Sequence, residues 1–179
     1  PHNKDYFESQ IQAVRNYYNN VSNGNFTFNF HVLDDIYSLS SDMASYSASD
    51  SSIGELFEEA LELAKDDIEL HLGESPNYDD ILFVVFHAGA GQDVSFPYVD
   101  PTNYDIPSAY VEDSMLSTIS ANSWISQNNI NRGIVLPESL NHIYYDIIED
   151  LFYGLDDYCD YQIGMTGLFA LLVGYSLDF

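Results

Sequence analysis

The chain has 179 residues, of which 46% are hydrophobic and 15% aromatic, enough apolar material for a packed core and too much for a disordered chain. Its 29 Asp and Glu residues face only 4 Lys and Arg residues, so the formal net charge is -25. This charge argues against nucleic acids and anionic membrane surfaces as partners, and it favours divalent cations or cationic proteins.

Cysteine content and the length of the apolar runs limit the architecture further. Cys159 is the single cysteine, which excludes an intrachain disulfide and a cysteine-based zinc site. The apolar run 168–173 lies between glycines and is far shorter than the ~20 residues that cross a bilayer. We therefore predict a buried helix there and no membrane span. Asn20 and Asn25 each begin an N-glycosylation sequon, which matters only in a glycosylating host.

The first two predicted elements are a helix and a strand. Asp5 is typical of a helix N-cap, and apolar residues at helical spacing predict a helix to about Asn20. In residues 26–32, apolar and polar residues alternate, which predicts a half-buried strand. The residues that define these two patterns are Phe7, Ile11, Val14 and Tyr18, then Phe26, Phe28, Phe30 and Val32.

A polar connection, an acidic helix and an apolar strand follow. The serine-rich segment before Ser52 predicts irregular structure, and Ser52 with Glu55 forms a capping box that begins the next helix. This helix is predicted to run to about Leu72 with its acidic residues facing solvent. The run ILFVVF, residues 81–86, predicts a buried central strand, and the Gly-, Pro- and Asp-rich residues 87–108 predict a long loop.

The last third of the chain contains further strands and a helix. The segments SAYVED and GIVLPES each predict a short strand, residues 140–161 are predicted to be partly helical, and residues 164–177 predict a final helix. Helices that alternate with strands predict an α/β or α+β fold in which helices pack on a mixed sheet. We expect residues 1–179 to form a single domain.

The segment HAGAGQD follows the apolar strand and contains the first candidate ligand, His87. No Lys, Ser or Thr follows its glycines as in a phosphate-binding loop, so phosphate binding is not expected. His87 is a candidate metal ligand, but a single imidazole after a strand is more often a hydrogen-bonded structural residue.

Two acidic groups are candidate metal ligands. Asp93, Asp100 and Asp105 recur along the long loop and offer the hard oxygens that calcium prefers, although solvated acids in turns are the alternative. His142, Asp146 and Glu149 would share one face of a helix and could hold a divalent ion, with a solvated amphipathic face as the alternative. We found no complete catalytic constellation by pattern alone.

Three segments in order resemble the secreted zinc metallopeptidases of the immune inhibitor A type. They are VRNYYNNVSNGNFTF, YDDILFVVFHAGAGQD and GIVLPES. In that family a Tyr-Tyr segment precedes a strand, a later strand ends in His-Ala-Gly, and a further segment leads to the zinc helix. The resemblance covers nearly the whole chain. It implies a zincin-like fold, a twisted mixed sheet with the active-site helix packed beneath it, of which this chain is the N-terminal lobe.

The chain departs from the family at the zinc helix, which reads Ala-His-Glu-x-Gly-His-x-Leu in that family. Aligned on Ala170 and Gly174, the two zinc-binding positions are Leu171 and Tyr175, and the general-base position is Leu172. Leucine offers no ligand atom and no base, whereas zinc peptidase chemistry needs three protein ligands and an activated water. We expect the three side chains to fill the former site as core.

The resemblance therefore implies a pseudopeptidase without zinc. The expected function is a non-catalytic domain of a secreted or surface protein that acts by binding a protein partner or by self-association, with calcium as the one cofactor to test. Two alternatives remain open. One is an active secreted endopeptidase whose site is completed elsewhere or not recognised, and the other is an extracellular filament or lattice subunit.

Overall fold

A computed structural model describes residues 2–47, 49–92, 105–145, 158–163 and 165–177. Within these residues the elements are α1 (Lys4–Val21), α2 (Met43–Tyr46), α3 (Asp50–Leu72), a 3-10 turn (Tyr78–Asp80), β1 (Phe83–Ala90), β2 (Ala109–Val111), α4 (Trp124–Gln127), β3 (Gly133–Tyr145), β4 (Tyr158–Ile163) and α5 (Thr166–Ser176). Helices and a mixed sheet are both present, so the predicted mixed α/β class is confirmed.

The long strand β3 is the centre of the sheet. β1 lies parallel to its first half on one side, and β2 lies antiparallel to the same half on the other side. β4 pairs antiparallel with the second half of β3. Ile134, Val135 and Leu136 in β3 are completely buried, as expected for an apolar run covered on both faces. The prediction that residues 81–86 form the central strand is therefore wrong, because β1 is half-buried and pairs only with β3 within the described residues.

Helices cover both faces of the sheet, and the alternation of β3 side chains builds a core on each side. Ile134 and Leu136 pack with α1 and α5, whereas Val135 packs with α3 and its short neighbours α2 and α4. The members of the first core include Ile11, Val14, Tyr18, Phe169 and Val173; those of the second include Ile53, Leu56, Phe57, Val111 and Ile125.

Both predicted helix caps shift by two or three residues. The side chain of Asn3 accepts a hydrogen bond from the Tyr6 N–H, so α1 begins one residue before Asp5. The Ser49 hydroxyl accepts the Ser52 N–H, so Ser52 lies in the first turn of α3 and does not cap it. The predicted ends of both helices, near Asn20 and Leu72, agree with the structure to within one residue.

The segment 26–32 is extended but is not a strand. Its apolar residues are half-buried in the core under α1 and α5 while the polar residues between them are exposed, as the alternation predicts. No strand ladder joins this segment to the sheet among the described residues. Alternation reports burial on one side, and the extended segment gains this burial without a hydrogen-bonded neighbour.

Residues 140–161 are not helical where the structure describes them. Residues 140–145 continue β3 and 158–161 begin β4, while 146–157 lie outside the described residues. Tyr144, Tyr145 and Ile143 are residues that favour a pleated surface, and pairing with β4 outweighs the helical spacing of the acids.

The acidic residues of α3 were predicted to face solvent, but several of them accept hydrogen bonds from other segments of the chain. Glu59 accepts hydrogen bonds from the Tyr46 hydroxyl and the Ser40 N–H, and Asp67 accepts one from Tyr37 at 2.5 Å. Further acceptors along the same helix are Glu62, which receives the Trp124 N–H, and Glu69, which receives the Trp124 indole N–H. These carboxylates attach the segments on either side to α3.

Candidate functional site

The three positions that the resemblance aligns with the zinc helix lie on α5. This helix contains no charged residue from Thr166 to Ser176, in a chain with a net charge of -25. Leu172 is 5% exposed and packs in the core with Phe169 and Val173. Leu171 and Tyr175 lie one helical turn apart and are 52% and 51% exposed. The expectation that all three side chains form core therefore holds for Leu172 and is wrong for the other two.

The orientation of α5 is fixed by its contact with α1. The Tyr18 hydroxyl donates a hydrogen bond to the Ala170 carbonyl oxygen at 2.5 Å. Gly174 allows this approach, because a Cβ atom there would lie 2.9 Å from the Tyr18 hydroxyl oxygen. Gly174 thus has a packing role that requires no active site, and the contact leaves Leu171 and Tyr175 on the outward side.

Tyr175 extends the exposed apolar surface onto the sheet. Its ring meets the ring of Tyr110 in β2 edge to face, with centroids 6.3 Å apart. We call Leu171, Tyr175 and Tyr110 the α5 face. Its chemistry is limited to hydrocarbon and two phenol groups, so it offers neither the imidazoles nor the carboxylate that zinc hydrolysis needs.

A polar cluster that the sequence did not reveal lies between the carboxyl end of β1 and the middle of β3. Glu138 accepts the His2 N–H at 2.7 Å and the Gly89 N–H at 3.2 Å, and the His2 Nδ1 atom lies 2.6 Å from the same carboxylate. The ring of His2 stacks on Tyr6 at 3.8 Å, and the Tyr6 hydroxyl donates to the Glu138 carbonyl oxygen at 3.0 Å.

The electrostatics of this cluster favour an ionised Glu138. Partial burial raises the pKa of the Glu138 carboxyl, but hydrogen bonds from the His2 and Gly89 N–H groups outweigh it and leave the pKa below its ordinary value. An acid that directly follows the apolar run 133–137 was the available signal. The cluster attaches the segment before α1 to the middle of β3, and each carboxylate oxygen already accepts a hydrogen bond.

The candidate ligand His87 does not join this cluster. Alternation along β1 places Phe86 on the α1 side, with Leu136, and therefore places His87 on the α3 side, opposite Glu138. The His87 Nδ1 atom lies 3.0 Å from the Ala88 carbonyl oxygen.

The proposed calcium ligands are only partly within the described residues. Asp105 lies just before β2, next to Ile106, whose carbonyl oxygen accepts the Gln92 N–H at 3.4 Å. This contact brings the two ends of the long loop together. Asp93 and Asp100 lie outside the described residues, so the calcium set stays a prediction.

The second acidic group does not have the geometry on which its prediction depends. His142 lies in β3 and not on a helix, while Asp146 and Glu149 lie outside the described residues. Across the part of the chain that the structure describes, no three His, Cys, Asp or Glu residues come together in a group suited to a metal ion. No helix in that part is both long and apolar enough to cross a membrane.

Comparison with known proteins gave no relative: no family model, curated protein or solved structure matches the chain.

Proposed function

We propose that this chain is a non-catalytic domain of the immune inhibitor A-like class, in a secreted or surface protein, and that it binds another protein through the α5 face. The observation that carries the proposal is the outward position of Leu171 and Tyr175, one turn apart on a helix without charges. The zincin-like arrangement and the extracellular setting are parts of the proposal that rest on the three sequence motifs.

The residue types on α5 support the non-catalytic part. A zinc hydrolase needs two imidazoles one turn apart and a carboxylate beside them to activate water. Leu171 and Leu172 have no ligand atom, and the phenol of Tyr175 is at best one weak oxygen ligand. The burial of Leu172 also leaves its position no access to a substrate.

The surroundings of the α5 face support the binding part. Tyr17 and Val21 also form an exposed pair one turn apart on α1, but Leu171 and Tyr175 lie on a helix without charges and continue to Tyr110. An exposed tyrosine beside apolar surface suits the apolar centre of a protein interface, where aromatic residues are enriched. A second copy of the chain would bring another charge of -25, so a different protein is the preferred partner.

The catalytic half of the proposal is tested with casein and gelatin as substrates, in the presence and absence of a chelator. We expect no hydrolysis in either condition. Hydrolysis that the chelator abolishes would support the alternative, an active endopeptidase.

The binding half is tested with a double variant, Leu171→Ser and Tyr175→Ser, and with Ile36→Ser as the matched exposed control. We expect the double variant to lose a partner from the secreted fraction of the source that both the parent and the control retain. Retention by all three proteins would contradict the role of the α5 face. Light scattering that rises with the concentration of the parent protein, with no other protein present, would instead identify a second copy as the partner, as in a filament subunit.

A further inference from the structure

A cavity of about 550 Å³ lies at the other end of the sheet, where β1 and β3 begin. Residues 73–79, between α3 and β1, form one side, and residues 127–129, between α4 and β3, form the other. Its volume is within the ~300–1,000 Å³ range of small-molecule sites. It is separate from the α5 face, and the inference below does not depend on the proposed function.

Three of the four amide groups that line this cavity each have one N–H donor engaged by the protein itself. The Asn77 amide nitrogen donates to the Asp80 carboxylate at 2.7 Å, and those of Gln127 and Asn128 donate to backbone carbonyl oxygens at 2.8 and 2.9 Å. Carboxylate and carbonyl oxygens only accept, so these contacts fix the nitrogen end of each amide. The three amide oxygens remain as acceptors with no hydrogen bond from any described residue.

The charged groups of the lining are also acceptors. Glu69 accepts the Trp124 indole N–H at 2.7 Å through one oxygen, and no hydrogen bond from a described residue reaches the other. It lies one turn before the carboxyl end of α3, where unpaired helix carbonyls add partial negative charge. Asp79 is the second carboxylate, and Tyr78 contributes an aromatic ring. Arg132 lies nearby, and its guanidinium donates to the backbone oxygen of Asp79 and keeps its positive charge.

We infer that this cavity binds a cationic hydrogen-bond donor, a guanidinium or a primary ammonium group. Such a group carries donors and no acceptor, and it matches a lining whose carboxylates and amide oxygens can accept. The ring of Tyr78 adds a cation–π surface, and the negative charge of the whole chain draws cations toward it.

The experiment is a titration of the full chain with arginine amide, and with citrulline amide as the neutral isostere, at physiological salt. Trp124 is the single tryptophan, and its indole N–H contacts Glu69, so its fluorescence reports occupancy directly. Glu69→Gln removes the charge and keeps an acceptor for Trp124. Glu55→Gln is the matched control, an exposed acid on the same helix about 21 Å away.

We expect arginine amide to bind at least fivefold more tightly than citrulline amide. Glu69→Gln should weaken arginine amide at least fivefold, and Glu55→Gln should change it less than twofold. Asn129→Asp adds a carboxylate to the lining and should tighten binding severalfold, which keeps the test decisive if Glu69→Gln fails to fold. Equal binding of the two amides, or equal effects of both glutamate variants, would reduce the site to non-specific attraction and overturn the inference.

Two further probes distinguish the source of the cation. A capped Gly-Arg-Gly peptide that binds at least as tightly as arginine amide supports a basic side chain of a partner protein. Tighter binding of spermidine, with exclusion of the peptide, supports a free polyamine. Absence of binding by arginine amide, peptide and spermidine alike contradicts the inference.

Discussion

Tyr18 and Ala170 join the two helices that cover one face of the sheet, since the hydroxyl of the first donates to the backbone carbonyl of the second at 2.5 Å. The bond spans 152 residues of sequence and reaches α5 beside Gly174. It holds α5 against α1 in the orientation that places Leu172 and Val173 in the core and Leu171 outward.

This contact predicts a non-additive pair of substitutions. Gly174→Ala in the parent should lower the free energy of unfolding or leave it unchanged. The added Cβ would lie 2.9 Å from the Tyr18 hydroxyl oxygen, and this close contact offsets the gain in helix propensity. In a Tyr18→Phe background, where that oxygen is absent, Gly174→Ala should stabilise by up to about 1 kcal/mol. Denaturant unfolding of the four proteins measures both effects, and purely additive energies would contradict the contact. Tyr17→Phe, on the exposed side of α1, is the control for Tyr18→Phe.

The burial pattern of α5 predicts a sharp contrast between neighbouring residues. Leu172→Ala should cost about 2–5 kcal/mol because it empties a core position. Leu171→Ala and Tyr175→Ala should each change the free energy of unfolding by less than about 1 kcal/mol, because about half of each side chain is already in water. A Leu171→Ala variant as destabilised as Leu172→Ala would mean that the helix is rotated from the described position.

Local sequence patterns were sufficient to predict an element where the segment makes its backbone hydrogen bonds within itself. The extents of α1, α3 and α5 follow from periodicity and stop signals, because a helix makes its hydrogen bonds within itself. The apolar runs at β1 and β3 likewise predicted strands, but not which of them is central. That depends on pairing across 50 residues, since Phe83 lies beside Gly133. The extended segment 26–32 was misassigned for the same reason, since alternation carries no information about a neighbouring strand.

The candidate sites were harder to predict than the elements. Leu171 and Tyr175 were identified from a motif, but their exposure depends on how α5 packs on α1 and the sheet. The Glu138 cluster joins residues more than 130 positions apart, and the cavity near Glu69 is formed by two loops whose residues look like ordinary turns. Spacing along the chain cannot reveal sites of this kind.

Two glutamates should show opposite dependences on pH. The pKa of Glu138 lies below its ordinary value, so its contribution to stability is present above the ordinary pKa and is lost as the pH falls through the lowered one. Glu138→Gln should therefore cost about 1–2 kcal/mol at neutral pH and little in acid, because it removes a charge-assisted acceptor.

Glu58 provides the reverse case. Burial, and then repulsion by Glu62, Glu59 and Glu55, raises the pKa of Glu58. Its contribution to stability is therefore present below the ordinary pKa, where the carboxyl is protonated, and is lost as the pH rises through the raised one. Glu58→Gln should raise the melting temperature at neutral pH and leave it unchanged at about pH 4. The melting temperatures of the parent and the two variants, measured across this pH range, test both signs. A difference between parent and variant that does not change with pH would contradict them.

Calcium should raise the melting temperature if Asp93, Asp100 and Asp105 share an ion. At a hundredfold excess over the dissociation constant, a single site would contribute about 2.7 kcal/mol. Magnesium at equal ionic strength is the control, because any divalent ion screens a net charge of -25. A response that is the same for both ions, or that persists in Asp105→Asn, would contradict a specific calcium site.

The claim that α5 has no role in zinc catalysis is tested most directly by the zinc content of the protein. The chain is expressed in zinc-supplemented medium, dialysed without a chelator and analysed by mass spectrometry for zinc per chain. We predict no stoichiometric zinc, because Leu171 and Leu172 supply no ligand atom and Tyr175 at best one weak oxygen. A full equivalent of zinc that survives dialysis would contradict the proposal and direct the search for ligands to His2, His87 and His142.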